Sequence, residues 1–316
     1  LERSVKMRIL IIGGAGFIGS HLVDLLNNNN EHELVVMDNL SSGSRDNIPP
    51  TVKFYEMDIR DNDLDKIFNE HHFDVVVNLA AQTMVPYSLE HPDEDADINL
   101  LGLINILNCC RNHSVQRVIF SSSAAVYGNN INVPLKETEN SVPMSFYGIT
   151  KMTAEHYLRV YSELYGLDAI VFRFANVYGE RQGNGGEGGV VSIFAKRIAE
   201  GLPISLFGDG GQTRDFVYAG DIAAAITAAL DVKGYHTINV SNAIEVSINE
   251  LIHNFGQVAQ KEIKVERQEE RPGDIYRSCL DNTNLKQKLG ILPQTTLLEG
   301  LLKTYAYFAE LAREEN

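Results

Sequence analysis

Tyr147 and Lys151 fall one turn apart on one face of a predicted helix over 147–165. A free phenol ionises near pH 10 and is a poor base at neutrality, at about a thousandth ionised. An ammonium beside it, or a positively charged cofactor ring, favours the phenolate and moves it into range for proton transfer. Tyrosine and lysine at this spacing are common surface neighbours, so the pair alone carries little. Its weight comes from Ser121, Ser122 and Ser123, which end a predicted strand at the same edge of the sheet. A serine there can hold the hydroxyl that Tyr147 deprotonates. A second site is written in Gly13-Gly14-Ala15-Gly16-Phe17-Ile18-Gly19, which follows an apolar strand and opens a helix. Such glycines let backbone approach a pyrophosphate at the positive end of that helix. Asp38 ends the next strand, where a carboxylate accepts two ribose hydroxyls and repels a 2′-phosphate, favouring NAD over NADP.

The elements that must carry these groups alternate. Strand patterns over 7–12, 33–37, 52–57, 75–79, 118–121 and 169–174 are separated by helical stretches that include 62–68, 95–110 and 147–165. Continuous apolar strands alternating with helices predict an α/β fold, a doubly wound parallel sheet covered on both faces. Beyond 175 the rhythm loosens into shorter helices over 190–200, 221–230, 248–259 and 297–309. The expectation is a Rossmann-like dinucleotide domain over 7–175, completed by a segment around 213–240. A smaller, partly interleaved α/β substrate domain over 176–316 would cover the carboxyl ends of the strands.

Composition narrows the partners. With 44% hydrophobic and 22% charged residues the chain reads as globular, not fibrous or disordered. Lys and Arg number 27 against 42 Asp and Glu, a net charge of −15, so a phosphate backbone would be repelled and no nucleic acid is expected. No apolar run approaches the roughly 20 residues of a membrane helix, and the start reads as a strand feeding a glycine turn with no cleavage signature. A cytoplasmic enzyme with no membrane partner is the expectation. The nine histidines show no metal spacing, and Cys109, Cys110 and Cys279 show neither zinc nor disulfide spacing. The acidic stretch 93–97 reads as a helix start favoured by the helix dipole.

Taken together, the glycine motif, Asp58-Ile59, Leu79-Ala80-Ala81-Gln82, Asn99, the 121–128 segment, Tyr147/Lys151, 173–179, 208–221 and 271–274 resemble the extended short-chain dehydrogenase/reductases, specifically the nucleotide-sugar 4-epimerases. The resemblance implies a tightly held NAD contacted by Gly13, Gly16, Phe17, Ile18, Gly19, Asp38, Asn39, Asp58, Ile59, Leu79, Ala80, Ala81, Gln82, Asn99, Ser121, Tyr147, Lys151 and Phe174. It implies Ser123, Tyr147 and Lys151 as the catalytic set, oxidising C4 of the sugar to a transient ketone that turns over before hydride returns. Ser123, Asn176, Val190, Phe207, Arg214, Arg271, Asp274 and Ser278 would hold the UDP-sugar. Two arginines, Arg214 and Arg271, stand out as phosphate ligands in so acidic a chain. Members of this family dimerise through four helices, so a homodimer built from 95–110 and 147–165 is expected.

Sister enzymes of the resemblance are separated by the two residues directly after the serine. Dehydratases place an Asp-Glu pair there and decarboxylases usually a Glu; this chain has Ala124 and Ala125. Without a carboxylate in reach there is no acid/base pair for elimination. GDP-fucose synthase-like enzymes need a Cys and a His that this segment lacks. Ser278 stands where a tyrosine would restrict the sugar pocket, so UDP-GlcNAc/UDP-GalNAc is expected beside UDP-Glc/UDP-Gal. Phe146 replaces the proline usual before the tyrosine, and Thr83 a lysine seen in some relatives, which touches specificity and not chemistry. UDP-glucuronate 4-epimerase is the rival reading, and a catalytically silent NAD-binding regulator the alternative of another class.

Overall fold

The computed structural model describes residues 6–183, 188–270 and 275–314. Its strands are β1 (Arg8–Ile12), β2 (Glu33–Asp38), β3 (Lys53–Glu56), β4 (Val75–Asn78), β5 (Arg117–Ser123), β6 (Asp168–Phe174), β7 (Asn176–Tyr178), β8 (Ile204–Phe207), β9 (Thr213–Arg214), β10 (Phe216–Tyr218), β11 (Tyr235–Val240), β12 (Val246–Ser247) and β13 (Val265–Gln268). The α-helices are α1 (Phe17–Asn29), α2 (Leu64–His71), α3 (Val85–Glu90), α4 (Pro92–Ala96), α5 (Gly102–Asn112), α6 (Phe146–Tyr165), α7 (Val190–Ala199), α8 (Ala219–Ala228), α9 (Ile248–Ala259), α10 (Thr283–Leu289) and α11 (Leu297–Glu314).

Seven strands form one sheet in the order β11-β6-β5-β4-β1-β2-β3, every pairing parallel. Ile9–Ile12 and Val75–Val77 are buried throughout, as parallel strands covered on both faces must be. One face packs against α1 and α8 through Leu22, Val23, Leu26, Ile222 and Ile226. The other packs against α2, α5 and α6 through Phe68, Ile106, Leu107, Leu158 and Tyr161. Strand order reverses between β1 and β4, the crevice where doubly wound sheets bind ligands. The last strand of the sheet, β11, comes from the chain beyond 213. A separate apolar cluster, with Phe194, Ile198, Leu251, Phe255 and Leu301, is built by α7, α9 and α11 around the short β8–β13 and β9–β12 pairings.

The predicted helix over 95–110 is not continuous. α4 runs into a π-helical turn, Asp97–Leu101, before α5. The wider turn carries Asn99 inward, where its Oδ1 accepts the Gln82 backbone N–H at 2.9 Å and its Nδ2 donates to the Gln82 carbonyl at 3.0 Å. π-turns inside helices recur at functional sites. The acidic stretch before it is also more than a helix start, because Asp95 is fully buried. Among the described residues no helix is long and apolar enough to cross a membrane.

Candidate active site

At the crevice between β1 and β4 lies a cavity of about 460 Å³. Gly13, Gly16, Phe17, Ile18, Gly19, Asp38, Asn39, Asp58, Ile59, Leu79, Ala80, Ala81 and Gln82 all line it. Two glycines are there because nothing larger fits. Gly13 takes φ +76°, and a Cβ on it would stand 2.6 Å from the Ala80 nitrogen; a Cβ on Gly19 would land on the Gly13 carbonyl. Helix α1 opens at Gly16 with no side chain capping its first turn, leaving its N–H groups for an anion.

Asp38 is buried at the end of β2, accepting the Ala15 N–H at 2.9 Å and the Leu40 N–H at 2.8 Å. Burial raises its pKa against the pull of those bonds. Each carboxylate oxygen keeps a lone pair for a ribose hydroxyl. Asp58 accepts Arg60 Nε at 2.8 Å and Asn39 Nδ2 at 2.8 Å, and the guanidinium holds it far below the ordinary carboxylate range. Arg60, a cation lining this end, is also tied to Asp97 at 2.8 Å. Two carboxylates therefore occupy Arg60, the arginine beside Asp58 that could greet a 2′-phosphate. Cavity, bare helix start and acidic rim fit NAD.

The proton-carrying groups meet where β5 ends and α6 begins. Ser123 caps the 3-10 turn Ala124–Tyr127, accepting the Ala125 N–H at 3.2 Å, and Ser145 caps α6, accepting the Gly148 N–H at 3.1 Å. These caps aim the Ser123 hydroxyl and the first turn of α6 at each other. Burial pushes the Tyr147 phenol up to about 12, while the hydrogen bond from Ser123 pulls it down. Lys151 is buried, donates to the Ser121 carbonyl at 2.8 Å and stands 5.8 Å from the Tyr147 ring centroid. Burial lowers its ammonium to about 8, against Asp95 and Glu155, which raise it. So in the protein alone the Ser123 hydrogen bond favours the phenolate, while the Ser121 carbonyl engages one of the three N–H groups of the Lys151 ammonium. Phe174 sits beside Ser123 as its register partner on β6.

The residues expected to hold the substrate are spread over the other half. Phe207 lines a second cavity of about 190 Å³ with Gly208, Asp209, Gln212, Glu270, Ile275 and Tyr276. Val190 begins α7 and packs on the apolar cluster of that half, outside this cavity. Arg214, on β9, and Ser278 are neighbours through Thr213, whose carbonyl accepts the Ser278 N–H at 3.2 Å. Asn176 is exposed on β7, its N–H bonded to the Asp215 carbonyl at 2.9 Å. Arg271 and Asp274 lie outside the described residues.

Sequence reasoning passed over the two carboxylates that hold these halves in shape. Asp215 is fully buried and accepts Asn242 N–H at 3.0 Å, Ala243 N–H at 3.1 Å and Leu280 N–H at 3.3 Å. Burial pushes its pKa up to about 6. Asp95 is its counterpart beside α6. The only signal for Asp95 was its spacing to Asn99, one helical turn away.

The NAD dependent epimerase/dehydratase family matches residues 9–241 of the chain. A UDP-glucose 4-epimerase from Thermotoga maritima, solved with UDP-glucose, is 39% identical, with a TM-score of 0.93 over 96% of this chain and 99% of that one. A UDP-glucose 4-epimerase from Thermus thermophilus in complex with NAD is 39% identical, with a TM-score of 0.90 over 96% and 99%. A UDP-N-acetylglucosamine 4-epimerase from Methanobrevibacter ruminantium, in complex with UDP-N-acetylmuramic acid, is 37% identical, with a TM-score of 0.91 over 97% and 99%.

Proposed function

The chain belongs to the NAD-dependent epimerase/dehydratase family and is an isomerase, and from that premise we propose that it inverts C4 of UDP-hexoses, taking UDP-GlcNAc/UDP-GalNAc as well as UDP-Glc/UDP-Gal. The observation that carries this reading is the Ser123–Tyr147 contact followed by two methyl side chains, Ala124 and Ala125. Tyr147 Oη takes the proton of the sugar 4-hydroxyl and later gives it back. Ser123 Oγ holds that hydroxyl during both transfers. Lys151, fixed by the Ser121 carbonyl, keeps a positive charge near the phenol and would hold the nicotinamide ribose. The glycine turn, Asp38 and the rest of the β1–β4 crevice would hold NAD, which would supply a reversible hydride acceptor for C4 and a positive ring that favours the phenolate. With no carboxylate following Ser123, the ketone formed at C4 has no partner for elimination and is reduced again.

The second half supplies grip. Arg214 would hold the diphosphate, and the cavity lined by Phe207 the base. Ser278, half-buried and small, would leave room for a 2-acetamido group, a reading supported by a similar enzyme solved in complex with UDP-N-acetylmuramic acid. A second copy would cover the exposed stripe of Ile149, Tyr157, Val160 and Leu164 along α6, giving a homodimer; sedimentation of Ile149→Glu as a monomer checks this.

The deciding assay mixes equal UDP-glucose and UDP-GlcNAc with the purified protein and no added NAD, followed by proton NMR of the anomeric region. Both galacto products are expected. A silent tube with NAD supplied sinks the UDP-hexose reading and sends the assay to UDP-glucuronate; conversion of UDP-glucose alone sinks the open pocket.

A further inference from the structure

Asp95 is 0% exposed, yet it belongs to no ion pair within 4 Å among the described residues. A buried carboxylate without a close counterion is costly unless its lone pairs are filled. Here they are filled by two separate parts of the site. Its Oδ1 accepts Gln82 Nε2 at 2.7 Å and Asn99 Nδ2 at 3.1 Å, and Gln82 lines the dinucleotide cavity. Its Oδ2 accepts the Thr150 hydroxyl at 2.7 Å, and Thr150 lies between Tyr147 and Lys151 on the first turns of α6. Thr150 Oγ1 also lies 3.0 Å from the Tyr147 carbonyl. Resting on the acid–base reading of Tyr147 above, we propose that Asp95 is a positioning residue: it ties the proton-carrying turn of α6 to the wall of the cofactor cavity and supplies the fixed negative charge felt by both Tyr147 and Lys151.

The charge works on the two groups in one direction. It disfavours the Tyr147 phenolate and favours the Lys151 ammonium, so both pKa values stand higher than they would without it. The other ionisable groups around this turn are accounted for. Glu155, on α6, also favours the ammonium, but its carboxylate is held by Arg173 of β6 at 2.6 Å. Tyr127 lies under the Arg173 guanidinium, and Tyr87 of α3 hydrogen-bonds Glu94. On the helix of Asp95 itself, Asp93 and Glu94 are exposed and Asp97 pairs with Arg60. Asp95 alone among these carboxylates acts on both reacting groups.

Asp95→Asn separates charge from shape. The amide oxygen can still accept Gln82 and Asn99, and its NH₂ can donate to Thr150 Oγ1, which then donates to the Tyr147 carbonyl. The expected result is both limbs of the kcat–pH profile displaced to lower pH by about half a unit to one unit, with the plateau kcat and the KM for UDP-glucose within about threefold of wild type. A folded Asp95→Asn whose profile stays in place overturns the proposal. Should that variant fail to melt cooperatively, Thr150→Val carries the test, since it cuts the tether and keeps the charge. A lower kcat with an unmoved profile is expected of it, and a wild-type kcat overturns the proposal. Tyr147→Phe is run alongside. Turnover in that variant overturns the acid–base reading and this inference with it; a silent Tyr147→Phe with an unmoved Asp95→Asn profile overturns Asp95 alone.

Discussion

The edge formed by β5 and α6 and the half built around β9, β12 and α9 solve different problems. At the edge, each chemical group sits at a terminus of a long element and is fixed by a local cap, Ser123 for the 3-10 turn and Ser145 for α6. In the other half, strands of two residues pair across distant segments, and Asp215 is bonded to residues 242, 243, 279 and 280 at once. The aim of each proton-carrying group is set within a few residues of chain, with the tether through Asp95 as the long-range addition. A pocket that recognises a large ligand is assembled from several loops, so it depends on buried groups that touch no ligand. Redesign of specificity should therefore be far easier to spoil at a distance than catalysis.

The contrast can be broken most forcefully at Tyr147. Tyr147→Phe should lose about 10³-fold or more in kcat while NAD stays bound through gel filtration; near-normal turnover would remove chemistry from this edge. Ser278→Tyr should depress kcat/KM for UDP-GlcNAc by roughly 10²-fold and leave UDP-glucose within about threefold, since a ring there fills volume and not the reaction. Equal loss on both sugars would show that Ser278 is not a pocket wall. Asp215→Asn should raise KM for either sugar about tenfold with kcat nearly unchanged, because donors now face an NH₂; a loss confined to kcat would erase the distinction between the halves.

The same residue gives a pH signature. The folded pKa of Asp215 is pushed up to about 6, above the value near 4 expected of an unfolded aspartate. The folded state therefore binds this proton more tightly. The stability it confers is full below about pH 4 and is lost as pH rises through 6, by about 3 kcal/mol. Urea titrations of wild type and Asp215→Asn between pH 4.5 and 7.5 should show wild type losing ground as pH rises; a constant difference would mean the carboxyl does not titrate there. The smallest effect is expected at the Arg277–Glu245 pair, 2.6 Å apart with the arginine in solvent, where Glu245→Gln should leave the urea midpoint of wild type almost unmoved.

Legibility followed the same divide. The strands 7–12 and 75–79 were readable because parallel strands buried on both faces are apolar throughout, and the helix over 248–259 because Ser247 and Glu250 form a capping box. The lining of the β1–β4 crevice was readable because glycines that admit no Cβ leave their mark in the sequence. The break in the 95–110 helix was not, since a π-turn has no residue preference strong enough to see. Nor was the burial of Asp95 and Asp215, because an aspartate in an acidic stretch or a loop looks solvated until its donors, distant in sequence, are brought to it. Two-residue strands such as β9 and β12 are likewise invisible, being defined only by their partner.

The place of β11 at the border of the sheet has a consequence for biosynthesis. Its only neighbour there is β6, and the two are separated by everything from β7 to α8. While those residues are being made, the nascent chain presents β6 as an open border with a row of unsatisfied amides, a template for pairing with any other emerging strand. The first half of this protein cannot close on itself during synthesis; it must wait for the second half to pass and hand back its final strand.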